Sequence, residues 1–176
     1  MPVEPPDAHR SGLRVLVVDD NRDSADSLAA LLQMLGHRTT VAYDGPSALR
    51  AATAEPPDCV FVDIVMPGMN GYELARRLRA EPTLGRVKLV ALSAFSDPVH
   101  AERAADAGFD HRLTKPASPA ELEGLLTMLD KIKELAASTE QLAQQNVALA
   151  DETRTLLKGV KSDLKEVKED AARASR

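Results

Sequence analysis

The chain has no tryptophan, and aromatic residues make up 3% of its 176 positions. Any core must therefore come from Leu, Val, Ile and Ala, which the 44% hydrophobic content allows. Cysteine occurs once, at Cys59, which excludes an internal disulfide and any multi-cysteine metal site. Cys59 lies inside the strand-like run "DCVFVD" and reads as a small buried hydrophobe. No apolar run reaches the ~20 residues of a membrane-crossing helix, so membrane insertion is not expected. Basic residues are in deficit too. The formal net charge of −5 argues against nucleic acid as a partner, since phosphate neutralisation needs a basic face. The first residues, "MPVEPPDAHRSG", lack the hydrophobic heart of a signal peptide and read as a flexible leader over 1–12. These absences together point to a soluble, cytoplasmic protein.

What is present is an alternation. β-branched runs at 13–18, 37–42, 59–63, 87–93 and 111–114 interleave with helically spaced segments at 24–35, 45–54, 71–80, 98–107 and from 119 onward. Gly36 and Gly108 stand where helices should stop, and Ser118-Pro119 has the form of a helix start. Five strands alternating with five helices predict an α/β fold, a parallel sheet covered on both faces. The alternation leaves strand order open, the doubly wound order 2-1-3-4-5 being one candidate.

Beyond about Asp130 the composition changes. Proline is absent from Ala120 to the end, and Ala, Leu, Glu, Gln and Lys dominate. Heptad position d falls on Met128, Leu135, Leu142, Leu149 and Leu156. Position a falls on Leu125, Ile132, Thr139, Asn146, Thr153 and Val160. This is a coiled-coil seam, and after Leu156 it moves to Leu157, Val160, Leu164 and Val167, a four-residue stutter. With no helix breaker before it, the last helix of the fold should continue through this tract for roughly 50 residues, about 75 Å at ~1.5 Å per residue. Asn146 at an a position favours a parallel two-stranded register, whereas Ala136, Ala143 and Ala150 at position e leave an antiparallel or four-helix packing open. A marginal, solvated single helix is the plain alternative.

The polar residues at the strand ends form a pattern of their own. Asp19 and Asp20 end the first strand, Asp63 the third and Ser93 the fourth, while Lys115 follows the fifth. In a parallel sheet all of them share the carboxyl edge. Three clustered carboxylates repel one another unless a cation is shared, and an all-oxygen donor set suits a hard ion such as Mg²⁺. A lysine and a hydroxyl facing that ion are the groups a phosphoryl moiety requires.

On the pieces "VLVVDDN", "VFVDIVMPGMNGYEL", "VALSA" and "LTKP", the sequence resembles the receiver domain of two-component response regulators from about Leu13 to Leu129. Its "GFDHRLTKP" is similar to receivers of hybrid sensor kinases. The resemblance implies a flavodoxin-like sheet of order 2-1-3-4-5, a receiver over 13–130 and a coiled-coil helix over 131–176. It implies a phosphoacceptor, Asp63, that takes its phosphoryl group from a histidine kinase or phosphotransfer protein. It further implies Mg²⁺ (or Mn²⁺) held by Asp20, Asp63 and the backbone carbonyl of Val65, with Asp19 acting through water. Ser93, the Ala94 backbone and Lys115 would bind the phosphoryl group, and Lys115-Pro116 would be a cis peptide. The sequence departs from the family at Arg112, where an aromatic switch residue is common.

The expected output is a homodimer through the seam Ile132, Leu135, Leu142, Asn146, Leu149, Leu156 and Val160, with no DNA-binding domain and no catalysis beyond self-phosphorylation and self-dephosphorylation. Alternatives are a scaffold or localisation protein whose coiled coil binds another protein, and the front of a longer chain with a separate output domain. An aspartyl phosphatase of the haloacid-dehalogenase type is disfavoured because "VVDDN" lacks the D-x-D spacer. Val65 and Phe95, each two residues beyond a site residue, are apolar and cannot orient a hydrolytic water, so a long-lived phosphoryl group is expected.

Overall fold

The computed structural model describes residues 12–94 and 98–174. The expected leader, apart from Gly12, and Phe95 lie outside the described residues. The chain divides into two units, Met1–Asp130 and Lys131–Arg176.

In the first unit the strands are β1 (Arg14–Val18), β2 (Arg38–Ala42), β3 (Cys59–Asp63), β4 (Lys88–Ser93) and β5 (His111–Thr114). The helices are α1 (Arg22–Met34), α2 (Gly45–Ala54), α3 (Gly71–Ala80), α4 (Pro98–Ala107) and α5 (Pro119–Ala174), and a short 3₁₀ turn spans Pro82–Leu84. All neighbouring strands are parallel, in the order β2-β1-β3-β4-β5. The fold is a doubly wound, flavodoxin-like sheet, and its order settles what the alternation left open. Helix α1 begins at Arg22, two residues earlier than the spacing predicts. The side chain of Asn21, accepting the Ser24 N–H, caps it there.

Period-two alternation divides each central strand between two cores. Leu16, Val18, Val60, Val62, Leu89 and Ala91 face one side with residues of α2, α3 and α4. Val15, Val17, Cys59, Phe61, Val90 and Leu92 face the other with α1 and with Leu122, Leu126 and Leu129 of α5. Strand β3 is buried throughout, whereas the edge strands β2 and β5 are partly exposed. That explains why the central runs are almost wholly apolar and "RTTVA" is not. Asp110 ties β5 to β4: its carboxylate accepts the Leu89 N–H at 2.8 Å, Arg79 Nη2 at 2.6 Å and Lys88 Nζ at 3.3 Å.

Helix α5 starts as the sequence predicts. The Ser118 N–H donates to Glu121 Oε2 and the Glu121 N–H donates back to Ser118 Oγ, a reciprocal capping box with Pro119 at the first helical position. The helix is 56 residues long, somewhat more than the spacing suggests. Within the second unit it is exposed all round, including Ile132, Leu135, Leu142, Asn146, Leu149, Leu156 and Val160. Among the described residues, no helix is long and apolar enough to cross a membrane.

Candidate phosphoacceptor site

The carboxyl edge of the sheet gathers the acidic residues from separate strands. Val62 lies opposite Val18 in the register, so Asp63, the last residue of β3, reaches the level of Asp19 just past β1. Oxygens of Asp19, Asp20 and Asp63 lie within 4.8 Å of one another. Asp19 and Asp63 are buried and Asp20 is exposed. Their separation in sequence is bridged only by the parallel pairing of β1 with β3.

Lys115, immediately after β5, points into this cluster. Its Nζ lies 2.7 Å from Asp19 Oδ2 and 3.0 Å from Asp63 Oδ1. The peptide bond that follows, Lys115-Pro116, is cis. Burial opposes the ammonium charge, but the hydrogen bonds and charges of Asp19 and Asp63 outweigh it and raise the pKa of Lys115. For Asp63 the balance runs the other way. Burial, reinforced by the neighbouring Asp19 charge, raises its carboxyl above the ordinary range, against the pull of Lys115 and of the Val65 N–H that it accepts. Asp19 Oδ1 accepts the Asn21 N–H at 2.9 Å, so both oxygens of Asp19 are engaged. Asp20, by contrast, has no ion-pair partner among the described residues.

This donor set fits a hard divalent cation. It is all oxygen, and three carboxylates face a single ammonium from Lys115, leaving an excess of two negative charges. With Asp19 held by Lys115 and Asn21, the exposed carboxylate of Asp20 is the one open to take an ion directly, with Asp63 beside it.

The turn after Asp63 is shaped by close approach. Gly68 has φ +73°, in the left-handed region that favours glycine. A methyl group at Gly71 would lie 2.5 Å from the Asp63 carbonyl oxygen, and the Gly71 N–H donates to the Ile64 carbonyl at 3.0 Å. Helix α3 can therefore begin directly against the end of β3, capped by the Asn70 side chain on the Glu73 N–H. Val65, in this turn, is 62% exposed beside the site.

Ser93 closes β4 and is buried. It lies one residue beyond Leu92, the register partner of Asp63, and its carbonyl accepts the Lys115 N–H at 2.9 Å. Ala94, exposed, follows it. The structure thus brings Asp19, Asp20, Asp63, Val65, Ser93, Ala94 and Lys115 to one edge. Arg112 stands apart on β5, opposite Ala91, and the seam residues belong to the second unit. Neither the Asn21 N–H on Asp19 nor the contact that requires glycine at 71 is legible in the sequence. The Asn-x-x-Ser and Asn-Gly patterns mark those turns, but only the packing shows what they touch. Beside the site, an apolar cleft of about 440 Å³ runs between α1 and the cis peptide, lined by Asp19, Leu28, Leu31, Lys115 and Pro116 among others.

Comparison with known proteins agrees with this geometry. The response regulator receiver domain matches residues 15–127 as a family. The chain is 39% identical over 109 residues to the DNA-binding response regulator MtrA of Mycobacterium tuberculosis, an alignment covering 62% of this chain and 46% of that protein. It is 37% identical over 103 residues to a gliding motility regulatory protein of Myxococcus xanthus, covering 58% of this chain and 13% of that protein. The chain thus spans less than half the length of these relatives. Among solved structures, the receiver domain of sensor histidine kinase PA1611 from Pseudomonas aeruginosa superposes with a TM-score of 0.64 at 32% identity, covering 69% of this chain and 99% of that one. That structure has a magnesium ion coordinated in its active-site cleft. The chemotaxis protein CheY4 of Vibrio cholerae gives a TM-score of 0.65 at 26% identity, over 68% of this chain and 99% of that one. With most of the chain matched, and with the acidic cluster, lysine and cis peptide assembled on one sheet edge, the protein belongs to the response regulator receiver domain family.

Proposed function

We propose that this chain accepts a phosphoryl group on Asp63 from a phosphohistidine of a partner histidine kinase or phosphotransfer protein, and signals through its second unit as a homodimer. The observation that supports it most is Asp63 itself, a buried carboxylate at a strand end with one oxygen on Lys115. In the transfer, an Asp63 oxygen forms the new O–P bond as the histidine N–P bond breaks, giving an acyl phosphate and a free imidazole. Lys115 neutralises the incoming charge and then pairs with a phosphoryl oxygen, while the Ser93 hydroxyl and the Ala94 N–H donate to the others. Asp20, Asp63 and the Val65 carbonyl would hold Mg²⁺ (or Mn²⁺), with Asp19 acting through water. That ion supplies the charge neutralisation phosphoryl transfer needs. The apolar cleft beside the site offers a seat for a partner's helix next to the acceptor.

Arg112 in place of an aromatic rules out a rotating ring as the relay, and leaves Ser93 and the backbone beyond it to carry the change. The exposed apolar stripe of the second unit supports an assembly output, and the chain catalyses nothing beyond its own phosphorylation and dephosphorylation. Labelling of the full chain by a small phosphodonor such as acetyl phosphate tests the acceptor. The native chain is expected to label only with Mg²⁺ present, and Asp63→Asn to remain at background. Undiminished labelling of Asp63→Asn would refute the assignment.

A second reading, a scaffold whose coiled coil binds a different protein, draws on the same stripe. Self-association of segment 131–176 favours the homodimer. Capture of a different protein without self-association favours the scaffold.

A further inference from the structure

We infer that two copies of the second unit pair in parallel and in register, and that Asn146 alone selects this arrangement; the inference rests on the homodimer proposed above. The apolar side chains from Ile132 to Val167 are 41–65% exposed, and most of them follow one stripe along the helix. On two copies together the apolar area on offer is on the order of the ~1,600 Å² of a standard interface.

Polar residues occupy three successive a positions of that stripe, Thr139, Asn146 and Thr153. Three polar layers would weigh heavily against pairing, but they are not equivalent. The Thr139 hydroxyl donates to the Leu135 carbonyl and the Thr153 hydroxyl to the Leu149 carbonyl, each at 2.8 Å. Both threonines therefore satisfy their polar group on their own helix and bring no hydrogen-bond demand to a seam. Asn146 makes no hydrogen bond with its side chain among the described residues, and its amide needs both a donor and an acceptor from outside. In a parallel, in-register pair, a faces a, and Asn146 meets the partner copy's Asn146, a complementary amide. In an antiparallel pair a faces d, and every d residue from Leu135 to Leu156 is leucine. Both amides would then be buried against hydrocarbon. A register slipped by one heptad sets Asn146 against threonine hydroxyls already engaged.

Charge does not compete with this selection. The e and g positions from Ala136 to Glu152 are Ala, Ser, Ala, Gln, Ala and Glu, so charge steering between helices is nearly absent. Orientation is left to the a and d layers.

The test uses the full chain with Leu135→Cys or Leu156→Cys, each alone, under mild oxidation, with the solution mass measured in parallel. Cys59 is buried, so the unsubstituted chain is the control. An antiparallel pair has only one level at which a residue meets itself, so two positions this far apart can both self-crosslink only in a parallel register. The expectation is a dimer mass, with most of the chain converted to disulfide dimer in both variants. Leu142→Cys and Leu149→Cys provide a second pair should either variant fold poorly. Adding Asn146→Leu is expected to cut the self-crosslinked fraction at least by about half or to raise the mass above a dimer. A dimer in which only one variant of a pair, or neither, self-crosslinks overturns the parallel register. A four-copy mass overturns the two-stranded pairing, and an unchanged pattern with Asn146→Leu overturns the role of Asn146. A monomer mass instead overturns the homodimer on which the inference rests.

Discussion

Leu126 and Leu142 lie on the same helix, α5, yet one is 1% exposed and the other 59%. The first belongs to a unit in which a five-stranded sheet and the helices on its faces bury most of the large apolar side chains within the chain. The second belongs to a unit that is a single helix, with its apolar side chains in water. Exposed apolar area is tolerated singly, but a long ordered stripe of it marks a surface that another molecule covers. The receiver's need for burial is met inside the chain, while that of residues 131–174 is not. The candidate site follows the same division: Asp19, Asp20, Asp63 and Lys115 all belong to the first unit, whereas the described residues of the second form one exposed helix.

The contrast breaks if the two leucines behave alike. Leu126→Ala is expected to destabilise the receiver by about 2–5 kcal/mol, because its methyl groups leave a cavity in a closed core. Leu142→Ala should leave the receiver's denaturation midpoint unmoved and weaken self-association instead. Chemical unfolding followed separately from sedimentation distinguishes the two effects.

Acid provides a second, smaller contrast. Although burial works to raise the Asp110 carboxyl, the Leu89 N–H and the charges of Arg79 and Lys88 hold its pKa below the ordinary value. A carboxylate with a folded pKa below its unfolded one contributes stability that is complete above the unfolded pKa. That contribution is lost as the pH falls through the folded value. The stability gap between the native chain and Asp110→Asn should therefore be widest near neutrality and shrink as the pH falls below the ordinary carboxylate range. A gap independent of pH would remove Asp110's charge from the account. The described residues of the second unit form one exposed helix with no neighbouring strands for a carboxylate to tie together, so its helicity should not share this profile.

Replacing Val65 and Phe95, each two positions in sequence beyond a candidate site residue, with polar residues should speed loss of the phosphoryl group by roughly tenfold, which corresponds to ~1.4 kcal/mol in the barrier. The decay of labelled protein measures it, and an unchanged half-life would show that water is excluded by something else. Ser118→Ala, which removes half of the capping box at the start of α5, should cost about 1 kcal/mol of receiver stability. It is the mildest of these changes, and a shift in melting temperature reads it.

Much of this is legible in the sequence alone. Strand ends announced themselves because Asp19, Asp63 and Ser93 each terminate an apolar run, and a parallel sheet has only one edge on which to place them. Gly36 and Gly108 took the positive φ expected where helices stop. Strand order was not contained in the alternation, since β1 pairing with both β2 and β3 depends on crossovers that local pattern does not encode. The cis peptide after Lys115 followed from family resemblance rather than from spacing. The hydrogen bonds that set Thr139 and Thr153 apart from Asn146 were also hidden. A sequence shows three polar residues on a seam, and only the helix backbone shows which of them are already satisfied.

The sharpest test is the solution mass of the full chain against a 1–130 truncation, by analytical ultracentrifugation, each with and without beryllofluoride and Mg²⁺. The account predicts a dimer for the full chain, a folded monomer for the truncation, and a change in the full chain's assembly when the phosphoryl mimic binds. A monomeric full chain, or a truncation that dimerises as well as the full chain does, would contradict it.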